Sequence, residues 1–284
     1  MNMLEHAKKI VNALIESGNS NGVLGLIQSE SGISPHLFED EKEVDALVLS
    51  PKWILAKIAS SLLERLPDDY KLSVICRGCD ERALNELIKR NQVDGTRLNI
   101  IGMACDEDQA KSCLCNSPAP SFVDIGTPVK GVDPWADPHA RAFIEGNIQV
   151  RRTLWQREFE KCIKCYGCRN ACPLCNCSDC KLADELWGSQ GQIPADPISF
   201  HLIRAFHLAD ICVGCGACQD ACPVGIPLTL LQLPMRRALD EDYGYCAGSD
   251  KVQRSPLFSN LTKEPSVGLN LPAWTDSRET DHEN

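Results

Sequence analysis

The chain has 284 residues, 43% of them hydrophobic, which is room for two modest domains with a real core. A formal net charge of −10 argues against nucleic acid or an acidic membrane surface as the main partner, because either would favour a basic stripe. No run approaches the roughly 18 apolar residues of a spanning helix. Seventeen cysteines with no signal-peptide pattern therefore point to a reducing cytoplasmic setting, where clustered thiols hold metal more often than disulfides.

In chain order, Leu4, Ala7, Ile10, Val11, Leu14 and Ile15 recur at helical spacing and predict an amphipathic first helix. Ser50-Pro51 predicts the start of a second, running through Trp53, Ile54, Ile58, Leu62 and Leu63 to a stop at Pro67. KLSVIC (71–76), DERALNELIKR (80–90) and RLNIIGMAC (97–105) read as strand, helix and strand, a βαβ unit with a right-handed crossover. Cys79 and Cys105 then fall just past the carboxyl ends of neighbouring parallel strands, the edge where open α/β sheets place ligands. With Cys113 and Cys115 they form a candidate ligand set beside the amino terminus of the Asp80 helix. The competing reading is buried strand-end cysteines and a plain loop; Cys76, inside the strand, is the expected bystander.

GTPVKGVDPWADP (126–138) reads as a linker or surface loop, and RAFIEGNIQVRRTLWQREFEK (141–161) as a charged helix packed through Trp155 and Phe159. The chain then reaches Cys162, Cys165, Cys168 and Cys172-Pro173, a CxxCxxCxxxCP run repeated by Cys212, Cys215, Cys218 and Cys222-Pro223. In two-cluster ferredoxins three cysteines of such a run bind one [4Fe-4S] cube and the fourth crosses to the other. One cluster would take Cys162, Cys165, Cys168 and Cys222; the other would take Cys212, Cys215, Cys218 and Cys172. Gly167, Gly214 and Gly216 suit the irregular backbone and close approach of such loops. Zinc fits less well, because a third in-register cysteine and the proline are surplus to a tetrahedral site.

Cys175, Cys177 and Cys180 answer to no single motif: with a donor from elsewhere they would hold a further cube, and otherwise they are an unliganded tail of the first run. His201, Arg204 and His207 precede the second run either as groups tuning its cluster or, the favoured reading, as a solvated helix face. Trp53, Trp155 and Trp187 read as core or interface residues. From Ser249 onward Pro256, Pro265 and Pro272 predict an irregular tail anchored by Leu257, Phe258 and Trp274 on this chain or a neighbour.

RGCDERALNELIKRNQ with IIGMAC, CIKCYGCRNACPLCNCSDC, and HLIRAFHLADICVGCGACQDACPVGIPL together resemble the iron–sulfur beta subunits of deazaflavin-linked hydrogenases and formate dehydrogenases, especially their bacterial members. The resemblance runs from residue 70 to about 250. It implies an electron-transfer subunit with at least two [4Fe-4S] clusters, and three or four if the remaining cysteines bind. It also implies partners in a hydrogenase, formate dehydrogenase or heterodisulfide-reductase-like complex. The alternative is a flavin-containing subunit that itself reduces a deazaflavin or nicotinamide. FAD is not favoured, because no phosphate-binding glycine segment is found and Gly214-Cys215-Gly216 belongs to a cysteine loop.

The expected architecture is an α/β domain with a short parallel sheet (1–125) and a linker (126–150). An α+β two-cluster ferredoxin-like domain (151–245) and an extended tail (246–284) follow.

Overall fold

The computed structural model describes residues 2–177, 180, 182 and 197–257. Trp187, Phe258 and Trp274 lie outside the described residues, as does the tail beyond Leu257.

The first helix, α1 (Met3–Glu16), forms where the periodicity puts it, with the Asn2 side chain accepting from the Leu4 amide at its start. Its buried Ala7 and Val11 pack on Val23, Phe38, Ile75 and Ile101, which cover one face of a sheet.

That sheet is mixed, where the sequence suggested a purely parallel one. β1 (Gly22–Ser29) and β2 (Gly32–Phe38) form an antiparallel hairpin across Glu30 and Ser31. The opposite edge of β1 is shared: its first half runs parallel to β4 (Leu72–Cys76), its second half antiparallel to β3 (Leu47–Val48). β5 (Leu98–Gly102) adds parallel to β4, which gives the order β2-β1-β4-β5. Periodicity conceals the hairpin because β1 is buried on both faces through its first five positions, so it lacks the apolar–polar alternation of a half-exposed strand.

The βαβ unit is present as β4, α3 (Gly78–Lys89) and β5. The helix before it differs from expectation. Ser50-Pro51 does not start it; α2 spans Ala56–Leu63, and residues 51–55 lead in without helical structure. Its cap comes from α3: the buried Asp80 carboxylate accepts from the Leu55 and Ala56 amides at 2.7 and 3.1 Å, and from the Arg77 amide at 3.2 Å. One side chain thus closes the amino ends of two helices. Beyond the other end of α2 the Arg97 guanidinium donates to the carbonyls of Leu63, Leu66 and Pro67.

α4 (Glu107–Ser112) follows β5, capped by Asp106. The charged stretch at 141–161 is two helices, α5 (Pro138–Ile144) and α6 (Ile148–Glu160). They are separated at Gly146, and α6 restarts on the Asn147 side chain, which accepts from the Gln149 amide. Trp155 stacks on Phe159 with ring centroids 5.3 Å apart, as their spacing suggested, whereas Trp53 is 40% exposed. The remaining helices are α7 (Gly167–Ala171), α8 (Pro197–His207), α9 (Ala217–Asp220) and α10 (Leu228–Tyr243). Among the described residues no helix is long and apolar enough to cross a membrane.

The second face of the sheet sets the geometry of the whole molecule. Leu24, Leu72, Val74, Leu84 and Leu87 share one continuous apolar core with Cys172, Leu174, Leu208, Ile211, Val213, Leu239 and Tyr245. The α/β region and the carboxyl-terminal cysteine loops are therefore packed on each other. Leu257, suggested as a tail anchor on this chain or a neighbour, is 52% exposed.

Candidate metal centres

Each CxxCxxC loop has to turn three cysteines toward one point, and the backbone does so identically in both copies. Residues two and four after the first cysteine adopt positive φ: Lys164 (55°) and Tyr166 (59°) in the first run, Gly214 (66°) and Gly216 (78°) in the second. A short helix follows each, α7 and α9. Gly167 differs from the other two glycines in having a φ that is not positive, and it serves the close approach that the sequence suggested: a Cβ there would lie 2.7 Å from the Ala221 carbonyl oxygen of the other run. It permits close approach of the two loops, while two non-glycine residues carry the left-handed turns.

That approach brings the runs together in crossed fashion. Cys162, Cys165, Cys168 and Cys222 line one cavity, closed by Phe200, His201 and Ile226. Cys172, Cys212, Cys215 and Cys218 line a second, with Leu174, Leu208 and Arg204, and Cys113 and Cys115 also reach its wall. Backbone amides point at the sulfurs. The Lys164 amide donates to Cys162 Sγ and the Ile226 amide to Cys222 Sγ, each at 3.4 Å, and the Gly214 and Ala217 amides serve Cys212 and Cys215. Among the described residues no three His, Cys, Asp or Glu side chains gather closely enough to hold a single ion. The sulfurs instead surround spaces, and donors of this type and spread fit a group of several metal atoms.

Burial governs the thiols. It pushes Cys79 and Cys218 up to about 12 and Cys215 well above its ordinary value, so a metal group entering these sites displaces protons. Cys172 goes the other way, down to about 6, because the Cys175 thiol hydrogen-bonds to it and the Arg204 guanidinium lies close by.

Arg204 and His201 are not the solvated face that local sequence favours. Both are buried, at 5% and 2% exposure; only His207 of that trio is exposed. Arg204 donates to the Cys168 carbonyl at 2.9 Å and lies within electrostatic reach of Cys168, Cys172, Cys175 and Cys218, which places a cation between the two cavities. His201 stacks on Phe159, centroids 4.9 Å apart, and burial beside Arg204 pulls it down to about 4, so it is neutral. Nothing in the sequence of α8 announces that a cavity lies under this face.

The third group assembles from separate elements. Cys79 sits in the first turn of α3, Cys105 follows β5, Cys113 closes α4 and Cys115 lies two residues on. Cys105 is within electrostatic reach of Cys79, Cys113 and Cys115, and Cys79 of Cys215 in the second cavity. Cys76 is fully buried inside β4. Of the unassigned trio, Cys175 packs against the core shared with the sheet, Cys180 packs beside Phe159 and Cys162, and Cys177 is exposed.

Residues 207–227 match the family model described as a 4Fe-4S binding domain. The chain is 43% identical over 199 residues to F420-dependent formate dehydrogenase 1 subunit beta of Methanococcus maripaludis, covering 64% of this chain and 50% of that protein. It is 41% identical over 105 residues to F420-dependent formate dehydrogenase subunit beta of Methanocaldococcus jannaschii, covering 37% and 27% respectively.

The chain is similar to these formate dehydrogenase beta subunits.

Both beta subunits are archaeal, whereas the sequence resemblance leaned toward bacterial members. A fainter likeness, 28% over 185 residues, links the chain to lactate utilization protein B 1 of Bacillus mycoides, covering 56% of this chain and 38% of that protein. The chain spans half or less of the length of these curated relatives.

Proposed function

We propose that the chain is an electron-transfer subunit that passes single electrons between a catalytic subunit and a redox partner, in a complex of the formate dehydrogenase type. The observation that carries this reading is the pair of adjacent cavities, each lined by three cysteines of one run and the fourth of the other. Cys162, Cys165, Cys168 and Cys222 would hold one [4Fe-4S] cluster, Cys172, Cys212, Cys215 and Cys218 a second, and Cys79, Cys105, Cys113 and Cys115 a third. Bound clusters of this kind take up and release one electron at a time.

The chain's own groups do the rest. Thiolates fix each site, amides aimed at the sulfurs stabilise negative charge there, and apolar walls of Phe200, Ile226, Leu174 and Leu208 keep water away. Arg204, buried between the cavities, offsets the charge of both sets. The domain limits expected from sequence serve here as functional units, with the α/β region carrying its own centre beside the ferredoxin-like pair. The reading includes a cytoplasmic setting, which would keep these thiols reduced for metal binding.

The test is anaerobic purification of the native complex, with iron, sulfide and flavin measured per chain. About 12 irons accompany three cubane clusters, and about 16 would bring Cys175, Cys177 and Cys180 in as ligands of a fourth. Stoichiometric flavin on this chain would replace the relay with a flavin-reducing subunit. Zinc, or no metal, would overturn both.

A further inference from the structure

Lys52 belongs to no motif and lies in the non-helical lead into α2, where sequence gives it the look of a surface lysine. In the folded chain its side chain is 15% exposed and reaches across the boundary between the α/β region and the second cysteine loop. Its ammonium is 3.4 Å from Cys113 Sγ on one side and 2.7 Å from Asp220 Oδ2, in α9, on the other. Cys79 lies within its electrostatic reach. Gly216, inside the CxxCxxC loop, gives it room: a Cβ there would stand 3.1 Å from the Lys52 nitrogen. Thus one partly buried cation touches the third cysteine group and abuts the loop of the second set.

We propose that Lys52 is a tuning residue that couples the third cysteine group to the second cluster set, holding the reduced state of both more stable than it would otherwise be. The inference rests on the cluster assignment above. Adding one electron to a centre adds one negative charge, and a fixed positive charge at a ligand sulfur in a low-dielectric junction favours that state. Lysine suits the position because its compact charge fits between a sulfur and a carboxylate, and Asp220 fixes its direction. Arg204 has the equivalent place between the first and second sets. Each junction in the row therefore contains a cation, Arg204 buried and Lys52 partly so.

The experiment is a redox titration of the full, iron-loaded chain followed by electron paramagnetic resonance, with signals assigned through Cys79→Ser and Cys212→Ser. Lys52→Met should lower the midpoint potentials of the second and third centres and leave the first in place. The expected size is a tenfold change in reduced fraction at fixed poise, about 59 mV for a one-electron couple. Lys52→Arg should keep values close to the parent, and Asp220→Asn, which removes a negative charge from the same junction, should raise them. Unchanged potentials in Lys52→Met, or equal shifts at all three centres, would overturn the proposal. If Lys52→Met fails to load iron, Asp220→Asn decides: no rise at the second and third centres rejects the coupling. An iron count below two clusters in the parent chain would instead strike at the functional reading itself, before any variant is made.

Discussion

Tyr245 donates its hydroxyl to Glu86 Oε1 at 3.1 Å, joining residues 159 apart in sequence. Glu86 is fully buried in α3, and it also takes the Gly248 amide at 2.7 Å, the Lys89 ammonium at 2.6 Å and the Arg90 guanidinium at 3.4 Å. The segment after α10 is thereby clamped onto the βαβ unit, with Asn85 adding a bond to the Gly248 carbonyl.

Removing the carboxylate takes the shared acceptor from Lys89, the Gly248 amide and the Tyr245 hydroxyl, while Arg90 keeps Asp210 at 3.1 Å. Glu86→Ala should cost about 3–5 kcal/mol, against about 1 kcal/mol for Tyr245→Phe. Denaturant unfolding of the anaerobic chain measures both. Equal, small losses would mean that Glu86 is not the hub of this contact.

Crossed ligation gives a spectroscopic signature. Cys172→Ala should disturb the cluster nested in the second run, and Cys222→Ala the one nested in the first, because each lines the cavity built by the other run. If each variant lost only the signal of its own run, the crossing would be wrong.

The third group has to be tested in the full chain. A fragment ending near residue 150 would strip Leu208, Ile211, Leu239 and Tyr245 from the core that covers Leu84 and Leu87, so its failure to hold iron would say little. Cys79→Ser in the intact chain should instead lower the iron count by about four while both loop clusters keep their spectra. Undiminished iron would leave Cys79 a structural residue.

The two loops should respond unequally to glycine replacement. Gly216→Ala forces an alanine into φ 78° and crowds Lys52, at a cost of about 1–2 kcal/mol. The matching position in the first run already holds Tyr166, so Tyr166→Ala adds no backbone strain and costs side-chain contacts alone, its ring on Phe200 and its hydroxyl on the Leu182 carbonyl at 3.4 Å. Thermal unfolding of Gly216→Ala reads the strain; an unchanged midpoint would contradict it.

What the sequence announces here is what is local or strictly periodic. α1, the β4-α3-β5 unit and the grouping of cysteines all follow from spacing within a few residues. What it conceals depends on partners far along the chain. Asp80 caps α2 from 24 and 25 residues away, Arg97 closes its other end, and the fate of His201 and Arg204 depends on a cavity that other segments build. Lys52 is hidden for the same reason: only the fold brings Cys113 and Asp220 to opposite sides of it.

The continuous core beneath the sheet also orders events during synthesis. Leu84 and Leu87 emerge from the ribosome long before Leu239, Tyr245 and Ala247, which complete the surface they bury against. The first half of the chain must wait with part of its apolar face open, and the second cysteine loop is made in that interval. The core over the βαβ unit is thus closed only after residue 248 has reached Glu86.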